Sequence, residues 1–192
     1  MCTAILLAAC YDPAVDKNEL QDAIQPPVDL FSDGGTVTPP TDGGGGGGCD
    51  VSPLSGLRIV VRTTQFGGRY KPKNIGAIWI ETASGQYVKT VKRWALRRLR
   101  YLTRLAAASN GNVTDAITGA TLSSHITHDV TWNLNNLQGC EIPAGDYRVV
   151  MELTDQDAPG AYATFPFTKG TTAVTLHPTE TAQFHDLTLE LR

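Results

Sequence analysis

The chain has 192 residues, 41% of them hydrophobic and 18% charged, enough apolar side chains for the core of one ordinary domain plus a tail. Its net charge of −3 is unevenly divided: in the first 50 residues eight acidic side chains face only Lys17, a sum of −7, which leaves +4 for Val51 to Arg192. That mild surplus is too weak to argue for a nucleic-acid binder, whose basic footprint is usually far stronger, and suits a domain that handles a phosphorylated cofactor or an acidic partner.

Residues Ala4 to Ala9 are a short apolar run ending at Cys10. Leu7-Ala8-Ala9-Cys10 resembles the lipobox of bacterial lipoproteins, so residues 1–10 read as signal and lipobox, with Cys10 lipidated after cleavage. No other apolar run is long enough to span a bilayer, which predicts an anchored protein on the cell envelope, periplasmic or extracellular. From Tyr11 the composition turns to Asp, Pro, Gly and Thr, including the glycine run Gly43 to Gly48. So little apolar surface cannot offset ordering entropy, and residues 11–52 are expected to be a disordered acidic tether.

Residues 53–192 read as one mostly β domain. Leu57 to Thr64, Ile75 to Thr82 and Tyr87 to Val91 are short, β-branched and separated by turn residues, with Ala83-Ser84-Gly85-Gln86 as a hairpin turn. Arg93 to Ser109 has no turn residue and a helical period: Ala95, Leu99, Leu102 and Ala106 mark one face, and Arg93, Arg97, Arg100 and Arg104 the opposite one. This predicts one amphipathic helix with an arginine stripe, either a solvated face or a set of contacts for a phosphate or a partner's carboxylates through Arg97, Arg100 and Arg104.

The helix leads into Asp115-Ala116-Ile117-Thr118-Gly119-Ala120-Thr121, a small-residue stretch expected to make a tight, exposed turn. Asp, Thr and Gly build side-chain-capped turns for structural reasons alone. The stretch also resembles the Asp-x-x-(Ser/Thr)-Gly-Ala-(Ser/Thr) acceptor of bacterial flavin transferases. That resemblance implies flavin mononucleotide (FMN) joined through its phosphate to Thr121, with Asp115, Thr118, Gly119 and Ala120 as the recognition frame.

Beyond it, His125 to Trp132 alternates as a strand, and Trp132, a polar turn and Pro143-Ala144-Gly145-Asp146-Tyr147 resemble a small immunoglobulin-like module that buries the Trp and Tyr. Arg148 to Leu153, Ala161 to Phe167, Thr172 to Leu176 and Phe184 to Leu191 supply further strands, about eight in all. The expected fold is an immunoglobulin-like antiparallel β-sandwich with one inserted amphipathic helix, preceded by a disordered tail.

Cys49 and Cys140 remain once Cys2 is cleaved away and Cys10 is lipidated. In an oxidising compartment they suggest a disulfide from the spacer's end to the Gln138-Gly139 turn, the alternative being two unpaired thiols. His125, His128, His177 and His185 have no ligand spacing and read as ordinary surface or strand histidines; on a strand His125 and His128 would not share a face. No Gly-x-Ser-x-Gly or Ser/His/Asp arrangement is evident, so no catalytic residue is named and a redox carrier is favoured over a catalyst.

Tyr70-Lys71-Pro72-Lys73-Asn74, Ile78-Trp79-Ile80, the Arg-rich segment with Tyr101-Leu102, Asp115 to Thr121 and the Trp132 to Tyr147 hairpin together resemble DUF family 2271, a predicted periplasmic family. The resemblance covers nearly all of Leu57 to Phe167. It implies a place in extracytoplasmic flavin systems, beside flavin transferases and PepSY-type membrane redox proteins. The competing expectation is an unmodified immunoglobulin-like binding or scaffold lipoprotein.

Overall fold

The computed structural model describes Cys49 and residues 52–96, 98–111 and 116–192. The signal and lipobox with Cys10, the tether up to residue 48, Arg97 and Asp115 lie outside the described residues. Nine strands are described: β1 (Leu57–Thr63), β2 (Ile75–Thr82), β3 (Tyr87–Trp94), β4 (Ile117–Gly119), β5 (Thr127–Trp132), β6 (Gly145–Thr154), β7 (Ala161–Lys169), β8 (Val174–Leu176) and β9 (Phe184–Leu191). They form two sheets, ordered β5-β1-β9-β8 and β4-β3-β2-β6-β7. The result is the mostly β, immunoglobulin-like sandwich that the alternating segments predict.

Strand patterns follow the layers. β5 and β7 alternate strictly between buried and exposed residues, as strands with one wet face do. β2 is buried along almost its whole length because both of its faces are covered. Ile78 and Ile80 join the core between the sheets with Leu57, Ile59, Met151 and Leu189. Ile75, Ala77 and Trp79 point outward into a second cluster with Ala95, Leu102, Leu105 and Val150. Trp132 and Tyr147 are buried, and the Tyr147 hydroxyl donates to the Pro143 carbonyl at 3.0 Å, pinning the corner that leads into β6.

Two local expectations are corrected. The helix expected over Arg93 to Ser109 is reduced to a 3-10 turn at Leu99–Tyr101 and α1 (Thr103–Ser109). β3 continues through Trp94 because β2 pairs with it there, Ala77 opposite Arg93 and Gly76 opposite Trp94, so sheet hydrogen bonds override the helical period. The phase resets at the 3-10 turn, which buries Leu105 and leaves Ala106 exposed. The sheet is also mixed: β3 and β4 run parallel. α1 has no side-chain cap of its own; the buried Glu152 carboxylate on β6 accepts from the backbone N–H groups of Arg104 and Leu105 at 3.2 and 3.0 Å. Burial pushes the Glu152 carboxyl above its ordinary value although these amides pull it down.

Candidate functional site

The middle of the small-residue stretch, Ile117–Gly119, is an edge strand and not the tight turn expected of it. Ile117, Thr118 and Gly119 of β4 stand opposite Lys92, Arg93 and Trp94 of β3, and all three β4 residues are exposed, Ile117 at 54%. Ala120 is exposed and Thr121 half-buried. Among the described residues no hydrogen bond occupies the Thr121 hydroxyl. Immediately beyond, Leu122 exchanges two backbone hydrogen bonds with Asn74, each 3.0 Å long.

Asn74 is wholly buried and fastens several segments together. Its Nδ2 donates to the Pro72 and Ser124 carbonyls, both at 3.1 Å, and its Oδ1 accepts from Trp94 Nε1 at 2.9 Å. Thr121 therefore sits between two fixed points, the Gly119–Trp94 rung and the Leu122–Asn74 bridge. A hydroxyl free of internal bonds on a backbone held at both ends is preorganised for an external group.

Trp94 supports this arrangement only because residue 76 is glycine. A Cβ on Gly76 would run into the Trp94 ring and lie 2.6 Å from the Glu152 carbonyl oxygen. Gly76→Ala is expected to cost about 1–3 kcal/mol by overpacking, and to shift the near-ultraviolet dichroism of Trp94; urea unfolding that matches wild type would contradict this.

The arginines divide into two groups. Arg98 lies over the Tyr70 ring at 4.0 Å and reaches Asp157 at 3.3 Å. Arg100 lies over Tyr101 at 4.9 Å and Arg104 over Tyr162 at 4.2 Å. These guanidiniums lie against aromatic faces, where the ring quadrupole attracts them. Arg93 differs. On β3 opposite Thr118, it lines a cavity of about 240 Å³ with Ala95, Leu96, Thr118, Gly119 and Ala120. Its Nε is buried with no acceptor, as is that of Arg98, but among the described residues no carboxylate pairs with Arg93 as Asp157 does with Arg98. Neighbouring Lys92 is half-buried, and burial lowers its pKa.

Of the histidines, His128 is not a surface residue: it is fully buried and stacked on Trp94, ring centroids 4.1 Å apart, with neither ring nitrogen partnered. Burial first, then Lys92 and His125, push its pKa down to about 4. His125 precedes β5, so strand alternation does not apply to it; its Nδ1 meets Thr63 Oγ1 at 3.3 Å. Among the described residues no group of three or more His, Cys, Asp or Glu is placed to hold a metal ion. Cys49 and Cys140 are joined by a disulfide.

Sequence reasoning missed Arg93 and Asn74 as parts of the site. Arg93 fits the spacing of the helix stripe, although Thr90-Val91 just before it and Trp94 after it are strand formers. Asn74 gives no local signal of its long-range bonds to Leu122 and Ser124.

A two-sheet sandwich carrying an exposed small-residue edge strand and a disulfide is consistent with a β module of an oxidising compartment. The family model described as "Predicted periplasmic protein (DUF2271)" matches residues 63–183, and the chain belongs to this family. Searches among curated proteins and among solved structures return no match.

Proposed function

We propose that the chain carries FMN, attached through its phosphate to Thr121 by a flavin transferase, and serves electron transfer at the cell envelope. The observation behind this reading is the Thr121 hydroxyl, without a hydrogen bond among the described residues and preceded by exposed small residues, on a segment held by Trp94 and Asn74. Asp115, in the matching motif, lies outside the described residues. Thr118, Gly119 and Ala120 present little bulk to an approaching transferase, and the orphaned Arg93 Nε fits a phosphate ester nearby. In attachment, the Thr121 oxygen forms a bond to the flavin-side phosphorus of a flavin adenine dinucleotide. The bond from that phosphorus to the adenylate oxygen breaks, AMP leaves, and the hydroxyl proton passes to the transferase's base or to water. When bound, FMN supplies the redox chemistry, and the sandwich supplies position and electrostatics. The partners are the transferase and a PepSY-type membrane redox protein.

Co-expression with a flavin transferase tests attachment. Wild type should migrate as a fluorescent band on a denaturing gel and gain the mass of one FMN group, and Thr121→Val should do neither. A dark wild type, or a Thr121→Val variant that still fluoresces, contradicts the reading and leaves an unmodified binding or scaffold module.

A lipid on Cys10 would hold the domain at the membrane through its tether. Cys10→Ala is expected to move the folded domain into the soluble fraction; a variant still sedimenting with membranes would contradict the anchor.

A further inference from the structure

We infer that Arg93 is the seat of the phosphodiester formed at Thr121, an assignment that rests on the attachment proposed above. Arg93 and Thr118 are partners across the parallel β3–β4 rung, so their side chains rise on the same face of the sheet. Both line the cavity of about 240 Å³ that continues along Gly119 to Ala120, the residue directly before the acceptor. A space this small is below the usual range for a whole drug-sized ligand, roughly 300–1,000 Å³. It suits a phosphate and the first atoms of its ester chain, with the ring system left outside. Leu96, 71% exposed at the same cavity, offers apolar surface that such a ring system would cover.

Charge distribution favours Arg93 over the more obvious arginines. Arg98, Arg100 and Arg104 are stacked on Tyr70, Tyr101 and Tyr162, and Arg98 is also paired with Asp157. The Nε groups of Arg93 and Arg98 are both withdrawn from water without a hydrogen-bond acceptor, but Arg98 has the Asp157 carboxylate beside it, whereas the Arg93 guanidinium has no ion pair or hydrogen bond among the described residues. A buried donor left in that state is costly. One phosphate oxygen would satisfy it, and the fixed fork of a guanidinium matches a phosphate better than an ammonium does.

The experiment compares wild type, Arg93→Gln, Arg93→Lys and the double variant Arg100→Gln/Arg104→Gln, each co-expressed with a flavin transferase and checked for folding by circular dichroism. Flavin on Thr121 is followed by intact mass, and the attached phosphodiester by phosphorus NMR. Loss of one charge-assisted contact should slow loading of Arg93→Gln about tenfold. Its phosphorus resonance should move to that of a short flavin-bearing peptide spanning residues 115–124. Arg93→Lys should recover part of both, and the double variant should match wild type. A loaded wild type whose resonance already coincides with the peptide overturns the seat, and so does an Arg93→Gln variant equal to wild type in rate and resonance. Should Arg93→Gln fail to fold, the wild-type resonance against the peptide decides alone. A wild type that takes no flavin overturns the Thr121 reading and the seat together.

Discussion

Glu141→Ala should lose about 3–5 kcal/mol of stability, because it leaves the Lys169 ammonium buried without its counter-charge. The Lys169 side chain is only 4% exposed and meets Glu141 at 2.8 Å, and the second carboxylate oxygen accepts from the Ser52 N–H at 2.9 Å. Lys169 first and Ser52 second hold the Glu141 carboxyl down to about 2. The bond to Ser52, with the disulfide at neighbouring Cys140, fastens the start of the domain to the turn before β6. Urea unfolding at neutral pH measures the loss. Replacing both partners with methionine should recover most of it, since a buried pair contributes little beyond a well-packed apolar substitute. A Glu141→Ala variant within about 1 kcal/mol of wild type would show that Lys169 escapes to water, a result in the range of exposed pairs.

His128 should make the domain acid-sensitive in a separate window. Its folded pKa is about 4, against 6.5 for the unfolded chain. Above pH 6.5 the ring is neutral in both states, and the full stability is present. As pH falls from 6.5 to 4 the unfolded state binds a proton that the folded state refuses, so stability declines; below about 4 both states carry the proton and this decline stops. A depression of this size corresponds to about 3 kcal/mol. Glu141 acts lower, its stabilisation disappearing between 4.5 and about 2. His128→Phe keeps a ring over Trp94 and removes two unpartnered nitrogens, so it should unfold near wild type at pH 7.5 and be more stable by about 3 kcal/mol at pH 4. Parallel stability curves for the two proteins would mean that His128 is protonated in the fold.

The strands were legible wherever burial is one-sided. β1, β5, β7 and β9 lie almost where alternation predicts them. β2 was readable for another reason, a continuous apolar run short enough for a doubly covered strand. The hidden parts depend on partners distant in sequence. The three-residue β4 has no pattern of its own and exists because the β3 edge is open to pair with it. The end of β3 resembles a helix on paper, since Arg93-Trp94-Ala95 fits the period of the Leu-Arg segment after it; only pairing with Ala77 and Gly76 decides otherwise. The small-residue stretch stood out as a motif, whereas the contacts that hold it did not. Asn74 lies 48 residues before Leu122, and nothing local marks it as the group that fixes the exit of the site. The arginine stripe shows the same limit: its residues were identified, but which guanidinium lacks a partner depends on where Tyr70, Tyr101 and Tyr162 stand.

The central claim is flavin on Thr121, and the native protein, extracted from its own membranes, tests it most directly. Proteolysis followed by mass spectrometry should yield the peptide containing residues 115–124 heavier by one FMN group, with fragmentation placing the addition on Thr121 and not on Thr118, Ser123 or Ser124. The same peptide recovered only at its unmodified mass, from cells that make a flavin transferase, would contradict the account.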